Sequence, residues 1–316
     1  MVKVISTKRK SAVLTPSSLA CLSRIPTVNL TMGCAHGCLY CYTRGYRVYP
    51  GESTVHVYEN TLELLRRELQ RKKQKPLAMY FSPASDLFQP VPEVLGLAYD
   101  VLQEIFNRGI GIAFLTKGVI PDRHMLLLQE NAALVRAQIG LITLDDALLH
   151  TFEPHAAPAA VRVAQIKRLT ESGIKTQMRL DPILPAVTDD ERTFQELCRS
   201  AMEAGVTELA ASVLFLRPAV MRRLVQASEA SGAVARCLGA FSDPQRIAIH
   251  AERSSVIALP LEQRQRIFRR LENIGSGHGL TVKRCACKNP DIASGTCSIA
   301  GDLRHTRAST EATLFG

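Results

Sequence analysis

The stretch Thr27-Val28-Asn29-Leu30-Thr31-Met32-Gly33-Cys34-Ala35-His36-Gly37-Cys38-Leu39-Tyr40-Cys41-Tyr42 joins a β-rich run to three cysteines spaced Cys-x3-Cys-x2-Cys. On a helix these spacings would set the thiols on one face as a buried seam. Gly33 and Gly37 argue against a helix, because glycine costs roughly 1 kcal/mol relative to alanine inside one. A glycine-broken loop can instead wrap three thiolates around an inorganic cluster. Three thiolates leave one iron of a four-iron cluster without a protein ligand, whereas ordinary electron-transfer clusters use four cysteines. A tetrahedral zinc site with His36 as fourth ligand is the next alternative.

Outward from this loop, short β-rich runs alternate with amphipathic ones. Strands are expected at 27–33, 77–82, 111–116, 136–143, 174–180 and 207–214, and helices at 58–73, 92–107, 121–131, 158–172 and 189–204. Pro92, Pro121 and Pro158 stand where helices can begin, since the missing N–H is not needed there. Such alternation predicts right-handed βαβ crossovers and a parallel sheet, either curled into a partial barrel or open and doubly wound. Beyond residue 218 the rhythm weakens. A helical stretch at 218–230, a loop at Ser242-Asp243-Pro244, a helix at 260–273 and a strand at 279–284 precede a polar tail. The expected organisation is an N-terminal extension at 1–26, an α/β unit at 27–218 and a C-terminal region at 219–316.

The 316 residues include 39 basic and 29 acidic side chains, a net charge of +10, with 46% hydrophobic residues and 22% charged. That is an ordinary globular composition. No apolar run reaches the roughly 18 residues of a membrane span. The opening MVKVISTKRK lacks the apolar core of a signal peptide, so a cytoplasmic location without membrane association is expected. Nine cysteines in such a setting point to metal binding or catalysis rather than a disulfide framework. Cys198 and Cys237 read as small buried hydrophobes. Cys21 is harder to place, because it sits just ahead of the first expected strand.

Three cysteines at this spacing, with an aromatic residue before the last, resemble the signature of the radical S-adenosylmethionine (radical SAM) superfamily. Cys34, Cys38, Tyr40 and Cys41 match it position by position. The resemblance implies a partial (β/α)6 TIM-type barrel with a cysteine-rich C-terminal extension. It also implies a [4Fe-4S] cluster on Cys34, Cys38 and Cys41 whose open iron chelates S-adenosyl-L-methionine. Reductive cleavage of that cofactor then gives a 5′-deoxyadenosyl radical that abstracts hydrogen from a substrate. Within the superfamily the chain looks most like the spore photoproduct lyase-like group, through Ser82-Pro83-Ala84-Ser85-Asp86, Gln89-Pro90-Val91, Leu115-Thr116-Lys117, Thr143-Leu144-Asp145, Glu153-Pro154 with Arg162, and Asp181-Pro182-Ile183-Leu184-Pro185.

These segments fall where strands end, which in parallel α/β folds is the binding face. The resemblance casts Ser82 and Asp86 as acceptors for the cofactor's ammonium, Lys117 and Thr143 as partners for its carboxylate, and Arg162 as a bidentate carboxylate clamp. Tyr40 is counted with these cofactor-binding positions. One departure stands out. True photoproduct lyases carry a hydrogen-donating cysteine immediately before the serine of strand two, where this chain has Phe81.

A second group, Arg284-Cys285-Ala286-Cys287-Lys288-Asn289-Pro290-Asp291 with Cys297, follows the last expected strand. It reads as an auxiliary iron–sulfur cluster, with zinc, or thiols with structural or redox roles, as alternatives. His278, His305, a remote cysteine or the substrate are open as fourth ligand. Basic residues gather at Lys3, Lys8, Arg9 and Lys10, at Arg66, Arg67, Arg71, Lys72, Lys73 and Lys75, and at Arg264, Arg266, Arg269 and Arg270. They suit either nucleic acid or a solvated face. The expected activity is therefore a lyase-like radical SAM enzyme acting on a nucleic-acid base or nucleotide, with a flavodoxin or ferredoxin as electron donor. Peptide or small-molecule modification is the second enzyme reading. A non-catalytic electron-transfer or redox-sensing protein is the reading from another class.

Overall fold

A computed structural model describes residues 2–22, 25–249, 254–293, 295–297 and 299–304. In chain order the elements are β1 (Lys3–Thr7), β2 (Thr27–Val28), β3 (Thr31–Met32), β4 (Thr54–Tyr58), α1 (Thr61–Arg71), β5 (Ala78–Phe81), α2 (Pro92–Phe106), β6 (Gly111–Thr116), α3 (Asp122–Glu130), β7 (Val135–Gly140), α4 (Asp146–Phe152), α5 (Ala159–Glu171) and β8 (Lys175–Ile183). They continue with α6 (Glu191–Glu203), β9 (Glu208–Val213), α7 (Pro218–Ser228), α8 (Gly232–Gly239), β10 (Gln245–Ile249), β11 (Ser254–Ala258), α9 (Leu261–Gly277) and β12 (Thr281–Arg284).

Seven strands form one sheet in the order β12-β9-β8-β7-β6-β5-β2, and every neighbouring pair is parallel. Its middle follows the chain order, as successive βαβ crossovers require, and the whole is an open, partial TIM-type barrel. Besides β1, α4, α8 and the pair β10 and β11, none of them expected, two features near the cysteine loop depart from the sequence reading. The expected strand 27–33 divides at Asn29–Leu30: β2 joins the large sheet beside β5, while β3 pairs antiparallel with β4 in a three-stranded sheet with β1. Helix α1 starts only at Thr61, because Thr54–Tyr58 is a strand parallel to β1. Asp145 and Asp190 cap α4 and α6, accepting backbone N–H groups of the first turns.

The two faces of the sheet bury different things. Met79, Phe81, Ile112, Phe114, Ile139, Met178 and Leu180 point outward and join Val101, Ile105, Leu128, Ile166 and Leu197 of the helices in the main core. Strand residues one position away point inward. Ala78, Tyr80, Ala113 and Ala210 form a separate cluster with Cys21, Leu22 and Ile25 from the N-terminal segment and with Cys297, Ile299 and Leu303 from the tail. The small inner side chains make room for both segments, and at Gly111 a Cβ would already lie 3.1 Å from Leu303. The described part of the tail thus packs inside the barrel, following on from β12.

Candidate active site

The loop after β3 is shaped by backbone that a side chain would obstruct. Gly33 has φ +81°, and a Cβ there would stand 2.2 Å from the Thr54 carbonyl oxygen. Gln89 spans the loop base: its Oε1 accepts Ala35 N–H at 2.9 Å and its Nε2 donates to Thr31 Oγ1 at 3.1 Å. Arg44 donates to the carbonyls of Cys38 and Gly37. Leu39 N–H reaches Phe152 O at 2.9 Å. The loop that carries Cys34, Cys38 and Cys41 is therefore held from both sides, and all three residues line one cavity. Burial pushes the Cys38 thiol up to about 12, with Glu153 adding to the rise and Lys117 opposing it.

His36 does not join the thiols as a ligand. Its Nδ1 lies 3.1 Å from His155 O, and its Nε2 lies 3.1 Å from Asp86 Oδ2. With both ring nitrogens engaged, the zinc alternative loses its fourth ligand. Asp86 is equally committed. Its oxygens accept from Phe88 N–H at 2.8 Å, Thr116 Oγ1 at 2.7 Å and Lys117 N–H at 2.8 Å, besides facing His36. These contacts tie the ends of β5 and β6 to the cysteine loop. Although burial works against its charge, they and His36 keep the Asp86 carboxyl below its usual range.

Tyr40 donates its hydroxyl to Glu153, which pairs with Arg162 Nη1 at 2.5 Å. Arg162 also donates to Ala157 O at 2.7 Å and Gly140 O at 2.8 Å. Both Glu153 and Arg162 are fully buried, and neither lines the cavity. The carboxylate that Arg162 clamps is thus Glu153 of the chain itself, and the group acts as a buried bracket beneath Tyr40. Thr143 is likewise buried off the cavity, its Oγ1 accepting Asp145 N–H at 3.1 Å.

Ser82 and Lys117 face the cavity. Ser82 has φ +53°, and its Oγ, like that of Ser85, is buried without a hydrogen-bond partner among the described residues. Buried polar atoms are normally satisfied, so two orphans on one cavity wall suit a polar ligand. Lys117 lies against Gly140, where a Cβ would crowd its side chain at 2.9 Å. Burial opposes its charge, but Glu153, Cys38 and Asp181 outweigh that effect and raise its titration above the usual lysine value. Thiols, orphaned hydroxyls and an ammonium together fit a cluster with an amino-acid-bearing cofactor beside it.

The cavity measures about 440 Å³ and reaches the second cysteine group. Cys285, Cys287 and Cys297 line its other side, joined by Cys21. Between the groups stand Arg179, Asp181 and Lys288, with Asp181 accepting from both cations. Tyr42, Phe215 and Arg217 complete the wall, the Arg217 guanidinium carbon lying 6.0 Å from the Tyr42 ring centre and 5.8 Å from that of Phe215. Sequence reading did not join Cys21 to the tail, nor Asp181 to Lys288, because each partnership spans more than 100 residues. His278 points elsewhere, toward Gln195 Oε1 at 3.0 Å, and His305 lies outside the described residues.

Four residues of the expected basic patches form ion pairs. Arg66 pairs with Glu104, Arg67 with Glu63 and Lys8 with Glu59, while Arg264 is buried against Asp291. No helix among the described residues is long and apolar enough to cross a membrane.

Comparison with known proteins agrees with this geometry. An uncharacterized protein of Mycobacterium tuberculosis is 27% identical over 217 residues, covering 66% of this chain and 64% of that protein. The chain thus spans just under two thirds of the curated mycobacterial relatives it matches. A radical SAM Nα-GlyT isomerase of Pseudomonas phage M6 is 28% identical over 195 residues, covering 60% of this chain and 40% of the isomerase. Among solved structures, spore photoproduct lyase complexed with dinucleoside spore photoproduct superposes with a TM-score of 0.67 at 15% identity, covering 89% of this chain and 82% of the lyase, a likeness of fold. The model of the radical SAM superfamily matches residues 28–198, more than half of the sequence, and the chain belongs to that superfamily.

Proposed function

We propose that the protein is a radical SAM enzyme in which Cys34, Cys38 and Cys41 hold a [4Fe-4S] cluster and the shelf formed by Ser82, Ser85 and Lys117 receives S-adenosyl-L-methionine. Bound there, cluster and cofactor supply hydrogen abstraction through one-electron cleavage of the sulfonium, with a flavodoxin or ferredoxin as electron donor. Lys117 offers an ammonium to the cofactor's carboxylate, and the two orphaned hydroxyls offer hydrogen bonds to its polar groups. Asp86, Gln89 and Arg44 hold the cysteine loop in place. The cysteines of the C-terminal group bind a second metal centre.

The proposed substrate is a nucleic-acid base or nucleotide. The observation that carries this reading is the cavity wall beside the shelf, where the Tyr42 ring, its hydroxyl donating to Pro83 O, and the Phe215 ring stand with the Arg217 guanidinium within 6.0 Å of both. Aromatic faces stack on bases and cations meet phosphate. The reading is supported by the phage relative's name and by the fold of the lyase. Cysteine-relayed repair of a thymine dimer is not the proposed outcome, because Phe81 stands at the donor position and is buried in the outer core, off the cavity.

Two measurements test this reading. Short oligonucleotides should stimulate formation of 5′-deoxyadenosine by the reduced protein, and replacing Phe215 and Arg217 with alanine should remove the stimulation. With DNA carrying 5-thyminyl-5,6-dihydrothymine, multiple-turnover conversion to two thymines should be absent. Stimulation by peptides but not by nucleic acid would refute the substrate class, and efficient lesion repair would refute the exclusion.

A further inference from the structure

Cys21 lies in the N-terminal segment, 264 residues before Cys285 in sequence, yet it meets the tail cysteines inside the barrel. Its Sγ is 3.5 Å from that of Cys287. Cys297 packs in the same cluster as Cys21 and Cys287, and Cys285 lines the same cavity wall. Cys21, Cys285 and Cys297 are each 6% exposed or less, and all four residues line the shared cavity.

The surroundings are built for these thiols. Ala78, Ala113 and Ala210 keep the inner face of the sheet low beside them. After Cys285 the chain turns sharply, its carbonyl accepting from Lys288 N–H at 3.0 Å and Asn289 N–H at 2.9 Å, which returns Cys287 toward Cys21. Arg179 Nη2 donates to Cys285 Sγ at 3.5 Å, and Gln177 Nε2 holds Cys297 O at 3.2 Å. A cation and a hydrogen bond at a ligating sulfur are means by which proteins set the potential of iron–sulfur centres.

We infer that Cys21 is the missing fourth ligand, and that Cys21, Cys285, Cys287 and Cys297 together bind a coordinatively saturated [4Fe-4S] cluster. This deepens the reading of the tail as a second metal centre and rests on it. Four thiolates with no histidine or carboxylate are the ordinary ligand set of such a cluster. Among the described residues no group of His, Cys, Asp or Glu is arranged around a single metal ion, and the front trio, read as a cluster site, shares that property. The two centres then differ in kind. The front cluster keeps an iron open for the cofactor, whereas the tail cluster has every iron covered and exchanges electrons without binding substrate.

The test uses the full chain carrying Cys34→Ala, Cys38→Ala and Cys41→Ala, so it does not depend on cofactor cleavage. After anaerobic reconstitution with ferrous iron and sulfide, it should hold about four irons and about four sulfides. Mild oxidation should leave the cluster intact. Adding Cys21→Ala should uncover one iron, so that the same oxidation yields the electron paramagnetic resonance signal of a three-iron cluster and a loss of about a quarter of the iron. Cys198→Ala, which removes an isolated buried thiol, should change neither value and controls for general loosening. A Cys21→Ala spectrum and iron content identical to the parent would overturn the assignment of Cys21. Zinc in place of iron and sulfide, or no metal at all, would overturn the cluster.

Discussion

Lys288 Nζ grips both carboxylate oxygens of Asp181, at 2.8 and 2.6 Å, joining the residue after Cys287 to the end of β8. Arg179 holds the same carboxylate, its Nη2 2.8 Å from Oδ2. Burial works against the charge on Asp181, but Lys288 and Arg179 outweigh it, and the carboxyl titrates well below its usual range. The pair is thus a strut between the end of β8 and the second cysteine group.

Removing the anion should cost more than removing one cation. Asp181→Asn leaves two cations without their partner and should destabilise the chain by about 3–5 kcal/mol. Lys288→Met leaves Asp181 with Arg179 and should cost about 1–2 kcal/mol. Anaerobic urea unfolding of both variants gives the order directly.

The same carboxylate sets an acid limb. Its folded titration lies below the unfolded value of about 4, so its stabilisation is complete above that pH and is lost as pH falls through the depressed folded value. Asp181→Asn should therefore lose less stability than the parent on going from neutral pH to about pH 3. Equal losses in the two proteins would show that other groups carry the limb.

The two loop glycines should respond unequally. Gly33→Ala drives a methyl into the Thr54 carbonyl at a left-handed backbone position, and should cost about 3 kcal/mol or more and depress iron uptake at the front loop. At Gly37 the nearest neighbours of a Cβ lie 3.5 Å away, leaving only the conformational cost of about 1–2 kcal/mol. Iron content and unfolding midpoints of the two variants separate these cases.

Tyr40, Glu153 and Arg162 form a graded series. Tyr40→Phe leaves Glu153 paired with Arg162 and should cost about 1–3 kcal/mol. Glu153→Gln leaves a fully buried guanidinium without its anion and should cost about 3–5 kcal/mol. If Tyr40→Phe proves the more damaging change, the bracket beneath the loop is wrongly described.

Much of the fold was legible because hydrophobic period and glycine placement are local properties. The expected strands at 77–82, 111–116 and 207–214 lie within a residue of β5, β6 and β9, and Pro92 opens α2 as its fixed φ suits. The strand at 54–58 was hidden, since its partner β1 lies some 50 residues away and its residues merge with the apolar run of α1. At the site, spacing and the two glycines marked the three front cysteines as one group, and the structure brings all three to one cavity. Asp86 was readable as a polar residue at a strand end, but not as a group consumed by partners within the chain, whereas Arg162 read either as a clamp for a bound carboxylate or as the ion-pair partner of Glu153, and the structure shows the pair. Cys21 gave no signal beyond its isolation, because only the packing of two distant segments inside the barrel brings it to the tail.

The central claim is that Cys34, Cys38 and Cys41 carry a cluster that cleaves S-adenosyl-L-methionine. Its most direct test is anaerobic incubation of the reconstituted, reduced protein with S-adenosyl-L-methionine, followed by quantification of 5′-deoxyadenosine. The account predicts formation by the parent chain and none by the Cys34→Ala, Cys38→Ala, Cys41→Ala variant, whose tail cluster remains. Cleavage that persists in that variant, or is absent from a parent chain loaded with iron and sulfide, would contradict it.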